Sequence, residues 1–250
     1  MALGLSRAGF RVAVTAARRR DEIEAVAGEA PEGRIQPVLA DVGSEAACAL
    51  LVREVEARLG PVDVLVNNAG RGMRFVSERF LTEPHPFWKA DPETWRMIID
   101  TNVNGPFLMS RAVAPGMIAR GWGRIVNISM NRETMRRRGF SPYGPSKAAL
   151  ESETVIWARD LEGTGVTVNA LLPGGASLTG MIPDEVPPEL RAKLISPETM
   201  VAPLLWLVSD SAGRVSGMRL NASRWDASLS PDAAAAKACE PAGWGAQESG

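Results

Sequence analysis

The chain has little of what most metal, nucleic-acid and membrane proteins depend on. It holds two cysteines, Cys48 and Cys239, far apart and with no CxxC partner, and one histidine, His85, between two prolines. Neither a disulfide framework nor a zinc site follows from such a set. Charge of one sign is missing too: 28 Lys+Arg stand against 29 Asp+Glu, a formal net charge of −1. No field of the kind that gathers nucleic acid or anionic lipid is available, which leaves small molecules as partners. The longest apolar stretches, such as Leu204 to Val208, are too short for a membrane span, and Met1 to Gly9 lacks the apolar region of a signal peptide. The expected compartment is a reducing cytoplasm.

What is present is alternation. β-Branched runs at Arg11–Thr15, Ile35–Ala40, Val62–Val66, Arg124–Ile128 and Val166–Leu172 are separated by helical patterns, which predicts an α/β domain around a parallel sheet. The last four runs are continuously apolar, as in strands covered by helices on both faces. Ser44–Leu59 starts on a capping serine, ends before Gly60 and repeats leucine and valine at helical spacing; Pro92–Arg120 and Pro145–Glu162 read as long helices. At 250 residues one domain suffices, spanning about 1–225. From about Asp226 the composition turns to Ala, Gly, Ser and Pro, and a mobile tail over 226–250 is expected. Arg71–Asp91, carrying Phe75, Phe80, Phe87 and Trp88, follows a strand as a long loop, and with Ala176–Met200 it is expected to wall a ligand pocket.

The strongest chemical signal is Tyr143-Gly-Pro-Ser-Lys147. Tyr143 is the only tyrosine, and with four lysines in 250 residues a lysine four positions later has a chance of about 4 in 250. On a helix that spacing puts both side chains on one face. A fixed ammonium beside the phenol would lower its pKa towards neutrality, a change worth about 4 kcal/mol, and make it an acid/base group.

Around this pair the chain resembles the short-chain dehydrogenase/reductase family, from Leu5 to about Leu220. Asp41-Val42 after one strand, Asn67-Asn68-Ala69-Gly70 after the next, Asn102 in Asp-Thr-Asn-Val, Asn127-Ile-Ser129, Tyr143/Lys147 and Pro173-Gly174 stand in the family's order. The resemblance implies a single Rossmann-like, doubly wound sheet and a homodimer or homotetramer built on the two long helices. It implies an oxidoreductase that interconverts a secondary alcohol and a carbonyl with a nicotinamide cofactor. Tyr143 would exchange the proton, Lys147 would lower its pKa and hold the nicotinamide ribose, and Asn102 would hold a relay water through its backbone. Asp41 and Val42 would meet the adenine, Asn68, Ala69 and Gly70 the adenosine ribose, and Pro173 and Gly174 the nicotinamide. After Arg11–Thr15 no acid awaits the ribose hydroxyls; Arg18, Arg19 and Arg20 stand there instead, favouring NADP over NAD, with Arg18 on the 2′-phosphate.

Two departures oppose a simple transfer of function. The family's catalytic serine lies thirteen residues before the tyrosine, and residue 130 is Met; the neighbouring Ser129 is the expected substitute donor. The family's opening strand and Gly-x-x-x-Gly-x-Gly turn should precede the helix ending at Ala8-Gly9, but all three glycines would fall ahead of Met1, and Gly4 lies inside that helix. The sheet is therefore expected to lack its first, central strand and its pyrophosphate turn, as in a chain missing an N-terminal piece. These departures keep a second reading open, a weak or silent Rossmann scaffold that binds a ligand or partner. The run Arg132, Arg136, Arg137 and Arg138 is either a pull on an anionic substrate or a solvated face.

Overall fold

A computed structural model describes residues 1–183 and 185–244. The chain opens on α1 (Ala2–Arg7), β1 (Val12–Ala16), α2 (Arg20–Gly28) and β2 (Ile35–Leu39). Then come α3 (Glu45–Leu59), β3 (Val64–Asn67), α4 (Pro92–Ile99), a π turn (Asp100–Asn104) and α5 (Gly105–Arg120). β4 (Gly123–Ile128), α6 (Arg132–Met135), α7 (Tyr143–Asp160) and β5 (Val166–Leu172) follow. The described part closes with α8 (Pro188–Arg191), α9 (Val201–Leu207), β6 (Met218–Asn221), α10 (Pro231–Ala238) and β7 (Cys239–Pro241). No described helix is long and apolar enough to cross a membrane.

Local chemistry sets the helix ends. Ser44 Oγ accepts from the Ala47 amide to start α3, and Gly60, at φ +88°, stops it. Asp91 accepts from the Thr94 amide at 2.8 Å ahead of Pro92, the first residue of α4. The single long helix predicted over Pro92–Arg120 is interrupted at Asp100–Asn104 by the π turn. The buried Asn102 side chain is bonded to two other segments there, and Gly105 comes so close to Val42 that a Cβ would lie 2.9 Å from Val42 Cγ2. One extra residue in the turn accommodates both contacts, a device frequent at functional sites.

The strands run parallel as predicted, but in two sheets. β1 pairs with β2, while β3, β4, β5 and β6 pair in that order and β7 adds an antiparallel edge. Between β1 and β3 lies a cavity of about 470 Å³, lined by Val12 and Val14 on one side, Val64 and Val66 on the other, with Met109 and Val113 beneath. Among the described residues no strand joins these two edges.

Helices cover both faces. Leu5, Leu204, Leu207, Leu220 and Ala235 pack with Val126 and Leu171 on one face; Cys48, Leu51, Met109 and Val113 pack with Ile125 and Val168 on the other. Adjacent β4 residues thus belong to opposite cores, which is why β4 and β5 read as continuous apolar runs.

The expected mobile tail is corrected by the structure as far as Trp244. Residues 231–238 form α10, which buries Ala234, Ala235 and Ala238 and bonds Asp232 to Trp206 Nε1 at 2.7 Å; β7 then pairs with β6. Alanine is small enough for close helix packing, so a composition that suggested disorder forms a tight contact. Residues 245–250 of that tail lie outside the described residues.

Candidate active site

The candidate site lies along the carboxyl edge of the parallel strands, where α/β sheets bind ligands. Tyr143 is the first residue of α7, with Lys147 one turn on. Close approach controls this start: a Cβ on Gly144 would lie 2.1 Å from the Met135 carbonyl oxygen, so only glycine lets the 130–140 segment lie against the helix. The Lys147 ammonium, 4 % exposed, donates to the Ile128 carbonyl at 2.7 Å. Burial pushes the Tyr143 phenol up to about 12 and the Lys147 ammonium down to about 8. The lowered phenol expected from the lysine is thus corrected. Desolvation disfavours both charged forms, and the lysine is bonded to a backbone carbonyl, so phenolate is not the resting state.

Asn102, fully buried, bridges two segments. Its Oδ1 accepts from the Arg71 amide at 2.7 Å, and its Nδ2 donates to the Arg71 carbonyl at 2.9 Å and to Ser146 Oγ at 3.0 Å. Ser146 in turn donates to the Tyr143 carbonyl at 2.7 Å. The asparagine side chain therefore ties the loop after β3 to the turn bearing the tyrosine. A second ladder was missed as a site feature: Asn67 donates to Asn127 Oδ1 at 2.8 Å, and Asn127 donates to Thr154 Oγ1 at 2.9 Å. It fixes β3, β4 and α7 at one height, and its only signal was polar residues inside apolar strand runs.

Ser129 is corrected as the substitute donor. It is 4 % exposed and donates to Glu151 Oε1 at 2.7 Å, while Met130, like Tyr143, packs against the cluster of Met73, Phe80 and Phe140. Successive residues leaving a strand face opposite ways, so Met130 takes the tyrosine side and Ser129 the other. Asn131 Nδ2 donates to the Gly174 carbonyl at 2.8 Å, tying this turn to Pro173-Gly174. Gly174 has φ +91°, and a Cβ there would meet Ser223 Oγ at 2.1 Å.

At the other end of the edge, Asp41 is exposed and accepts from the Gly43 amide at 3.0 Å, Val42 is buried under Gly105, and Asn68 is exposed beside Ala69 and Gly70. A Cβ on Gly70 would come within 3.4 Å of Met181 and Asn102, so glycine keeps an opening between loop and wall. Arg19 pairs with Asp21 and Glu22, and Arg20 with Glu24. Arg18 makes no ion pair among the described residues and is exposed. The adenosine and nicotinamide ends thus have groups that fit a dinucleotide. Among the described residues no glycine-rich turn leads from a strand into α1 to meet its pyrophosphate.

The arginine run is largely engaged within the protein. Arg132 bonds Glu240 and the Pro241 carbonyl, Arg136 lies over the Trp244 ring and Arg137 over Phe140. Phe80 meets Phe140 edge-on at 5.8 Å, so the 71–91 loop packs beside Tyr143, and Met181 brings the 176–200 segment against Gly70 and Gly72. No group of three or more metal-ligating side chains occurs among the described residues.

A doubly covered parallel sheet with a tyrosine and lysine one helical turn apart at its carboxyl edge is the framework of a nicotinamide-dependent oxidoreductase. The family described as short chain dehydrogenase matches residues 1–189, and the chain belongs to it. It is an NAD(P)-dependent enzyme of the carbonyl/alcohol class. An acetoacetyl-CoA reductase of Shinella zoogloeoides is 33 % identical over 231 residues, 89 % of this chain and 90 % of that protein. A gluconate 5-dehydrogenase of Gluconobacter oxydans is 33 % identical over 175 residues, 70 % of this chain and 64 % of that protein. Among solved structures, a gluconate 5-dehydrogenase from Burkholderia cenocepacia in complex with NADP and tartrate superposes with a TM-score of 0.74 at 25 % identity, covering 88 % of this chain and 86 % of that one.

Proposed function

We propose that this protein reduces the carbonyl of a small molecule with NADPH, with Tyr143 as the proton donor. The observation that carries the reading is Tyr143 at the start of α7, on the carboxyl edge of the sheet, with the buried Lys147 one turn behind it. Burial raises the phenol's pKa, so at neutral pH Tyr143 carries the proton that reduction of a carbonyl consumes.

The nicotinamide, when bound, supplies the hydride that goes to the carbonyl carbon. Tyr143 Oη donates its proton to the carbonyl oxygen. Lys147, still charged at neutral pH, would hold the nicotinamide ribose. Asn102, its side chain occupied by Arg71 and Ser146, leaves its main chain to hold a relay water. Pro173 and Gly174 would face the nicotinamide, Asn68, Ala69 and Gly70 the adenosine ribose, and Asp41 and Val42 the adenine. Arg18, exposed and in no ion pair among the described residues, would grip the 2′-phosphate, which favours NADP over NAD. NADP in the superposed structure and the reductase activity named for the Shinella relative are consistent with this reading. Met130 contributes no proton, because a thioether accepts weakly and donates nothing, so turnover is slow.

Exposed Phe107 and Ile118 on α5 and Ile156 on α7 support a homodimer or homotetramer packed through these helices. The free Cys48 and Cys239 suit a reducing cytoplasm. The test is oxidation of NADPH with a panel of β-keto thioesters and keto acids. Turnover that vanishes in Tyr143→Phe supports the assignment; tight NADPH binding with no turnover of any carbonyl would identify a binding scaffold instead.

A further inference from the structure

The turn that leaves β4 for the site, residues 128–132, is held at every position. Lys147 donates to the Ile128 carbonyl, and Ser129 donates to Glu151. Arg219 Nη2 donates to the Met130 carbonyl at 2.8 Å, Asn131 donates to Gly174, and Arg132 donates to Glu240 and to the Pro241 carbonyl. The Arg132 tie ends on strand β7 through two bonds, and Met130, Glu151 and Glu240 converge on one guanidinium. Arg219, on β6 with its side chain 5 % exposed, uses Nε for Glu151 at 3.3 Å, Nη1 for Glu240 at 2.9 Å and Nη2 for Met130. Glu151, 1 % exposed, also accepts from Ser129 and from the Gly243 amide at 3.3 Å. Glu240 collects Arg132 and Arg224 as well, so two carboxylates and three guanidiniums close the cluster.

We infer that Arg219, Glu151 and Glu240 are positioning residues for the reaction, forming a buried clamp by which the C-terminal strand holds the turn beside Tyr143 in place. The inference rests on the proposed reductase reading. Hydrophobic residues of similar volume would cover the same surface at less desolvation cost, so an ion cluster here is a poor device for stability alone. A guanidinium is planar and presents fixed donors in three directions, which makes it a means of fixing three elements at set angles: α7 through Glu151, β7 through Glu240 and the turn through the Met130 carbonyl. The turn carries Met130 into the apolar cluster that Tyr143 also packs against, and the Ile128 carbonyl against Lys147. Its displacement therefore moves both partners of the catalytic pair. The apolar cluster around Met130 sets how the turn packs, but nothing in it sets the angle of the Ile128 carbonyl.

The experiment compares Arg219→Lys and Glu240→Gln with the full chain by steady-state kinetics and by amide hydrogen exchange. Lysine keeps the charge and loses the fork. Glu240→Gln, at a site 32 % exposed, removes the tie without leaving a fully buried charge unpaired, and it serves if the arginine variant does not fold. The expected result is a fall in kcat of about tenfold or more with the KM for NADPH within about threefold, because misplacement of reacting groups by a fraction of an ångström costs rate before affinity. Exchange at residues 129–132 should rise about tenfold while β5 keeps its protection. Unchanged kcat and unchanged exchange at the turn in folded variants would overturn the clamp, as would a rise in exchange spread evenly over the chain. If the parent protein turns over no carbonyl, the reductase reading fails separately, and exchange at 129–132 still decides whether the clamp orders the turn.

Discussion

Replacing Met130 with serine puts a hydroxyl at the position thirteen residues before Tyr143, where this chain carries a side chain unable to donate. Met130 and Tyr143 both pack against Met73, Phe80 and Phe140, and the turn bearing Met130 is fixed at its carbonyl by Arg219. A single preorganised donor to a developing oxyanion contributes about 2.7 to 4 kcal/mol, or roughly 10²- to 10³-fold in rate. The turn is already rigid but the surrounding pocket is shaped for a thioether, so the expected gain in kcat is smaller, about 10- to 100-fold. The cost is packing. Deleting a fully buried methionine side chain costs about 2 to 5 kcal/mol, and a partly buried one about half of that, which lowers Tm by several degrees in a chain of this size. The assay follows NADPH consumption by absorbance with the carbonyl that the parent protein reduces best, in Met130→Ser, in Tyr143→Phe and in the double variant. A gain that disappears in the double variant places the new hydroxyl and the phenol on one oxygen. An unchanged kcat in a folded Met130→Ser protein, or a gain that survives loss of Tyr143, would refute the geometry.

Tyr143→Phe alone is expected to abolish carbonyl reduction while leaving NADPH affinity within about threefold, checked by calorimetric titration, because the hydroxyl moves the proton and the ring packs. Reduction is expected to fall as pH rises through about 8, where Lys147 loses its charge, and the pH profile of kcat checks it. Stability moves the other way. A lysine whose pKa drops from 10.5 to about 8 on folding binds fewer protons in the native state, so unfolding free energy rises between pH 8 and 10.5. The raised Tyr143 opposes this above pH 10, and thermal melts across the range should show a maximum between the two. A chain extended ahead of Met1 by an apolar strand and a glycine turn is expected to fill the cavity between β1 and β3 and to bind NADP at least about a hundredfold more tightly, since two charge-assisted amide bonds to the pyrophosphate are worth about 3 kcal/mol or more. Equal affinity of the two forms would show that the dinucleotide is held another way. Light scattering should give the mass of a dimer or tetramer, and a monomer would remove α5 and α7 as an interface.

The alternation of apolar runs and helical patterns was enough to place five of the strands within about two residues, because burial on both faces leaves a one-dimensional trace, while the landmarks from Asp41 to Gly174 were legible through the resemblance to the family. Tyr143 and Lys147 were legible for a similar reason: four residues on a helix is a local distance. What the sequence did not disclose depends on which groups share a volume. The side Ser129 faces is decided by strand alternation together with a carboxylate 22 positions later, at Glu151. The order of the C-terminal segment comes from alanines fitting against α9 and from Glu240 meeting Arg219, and neither contact has a signal in composition. The break at Asp100–Asn104 follows from Asn102 bonding to Arg71 and Ser146, partners 31 and 44 positions away. A phenol that burial holds protonated, where spacing alone predicted a lowered pKa, makes the same point in energy. A sequence records which charges are near along the helix, and only the packed protein decides how much water they keep.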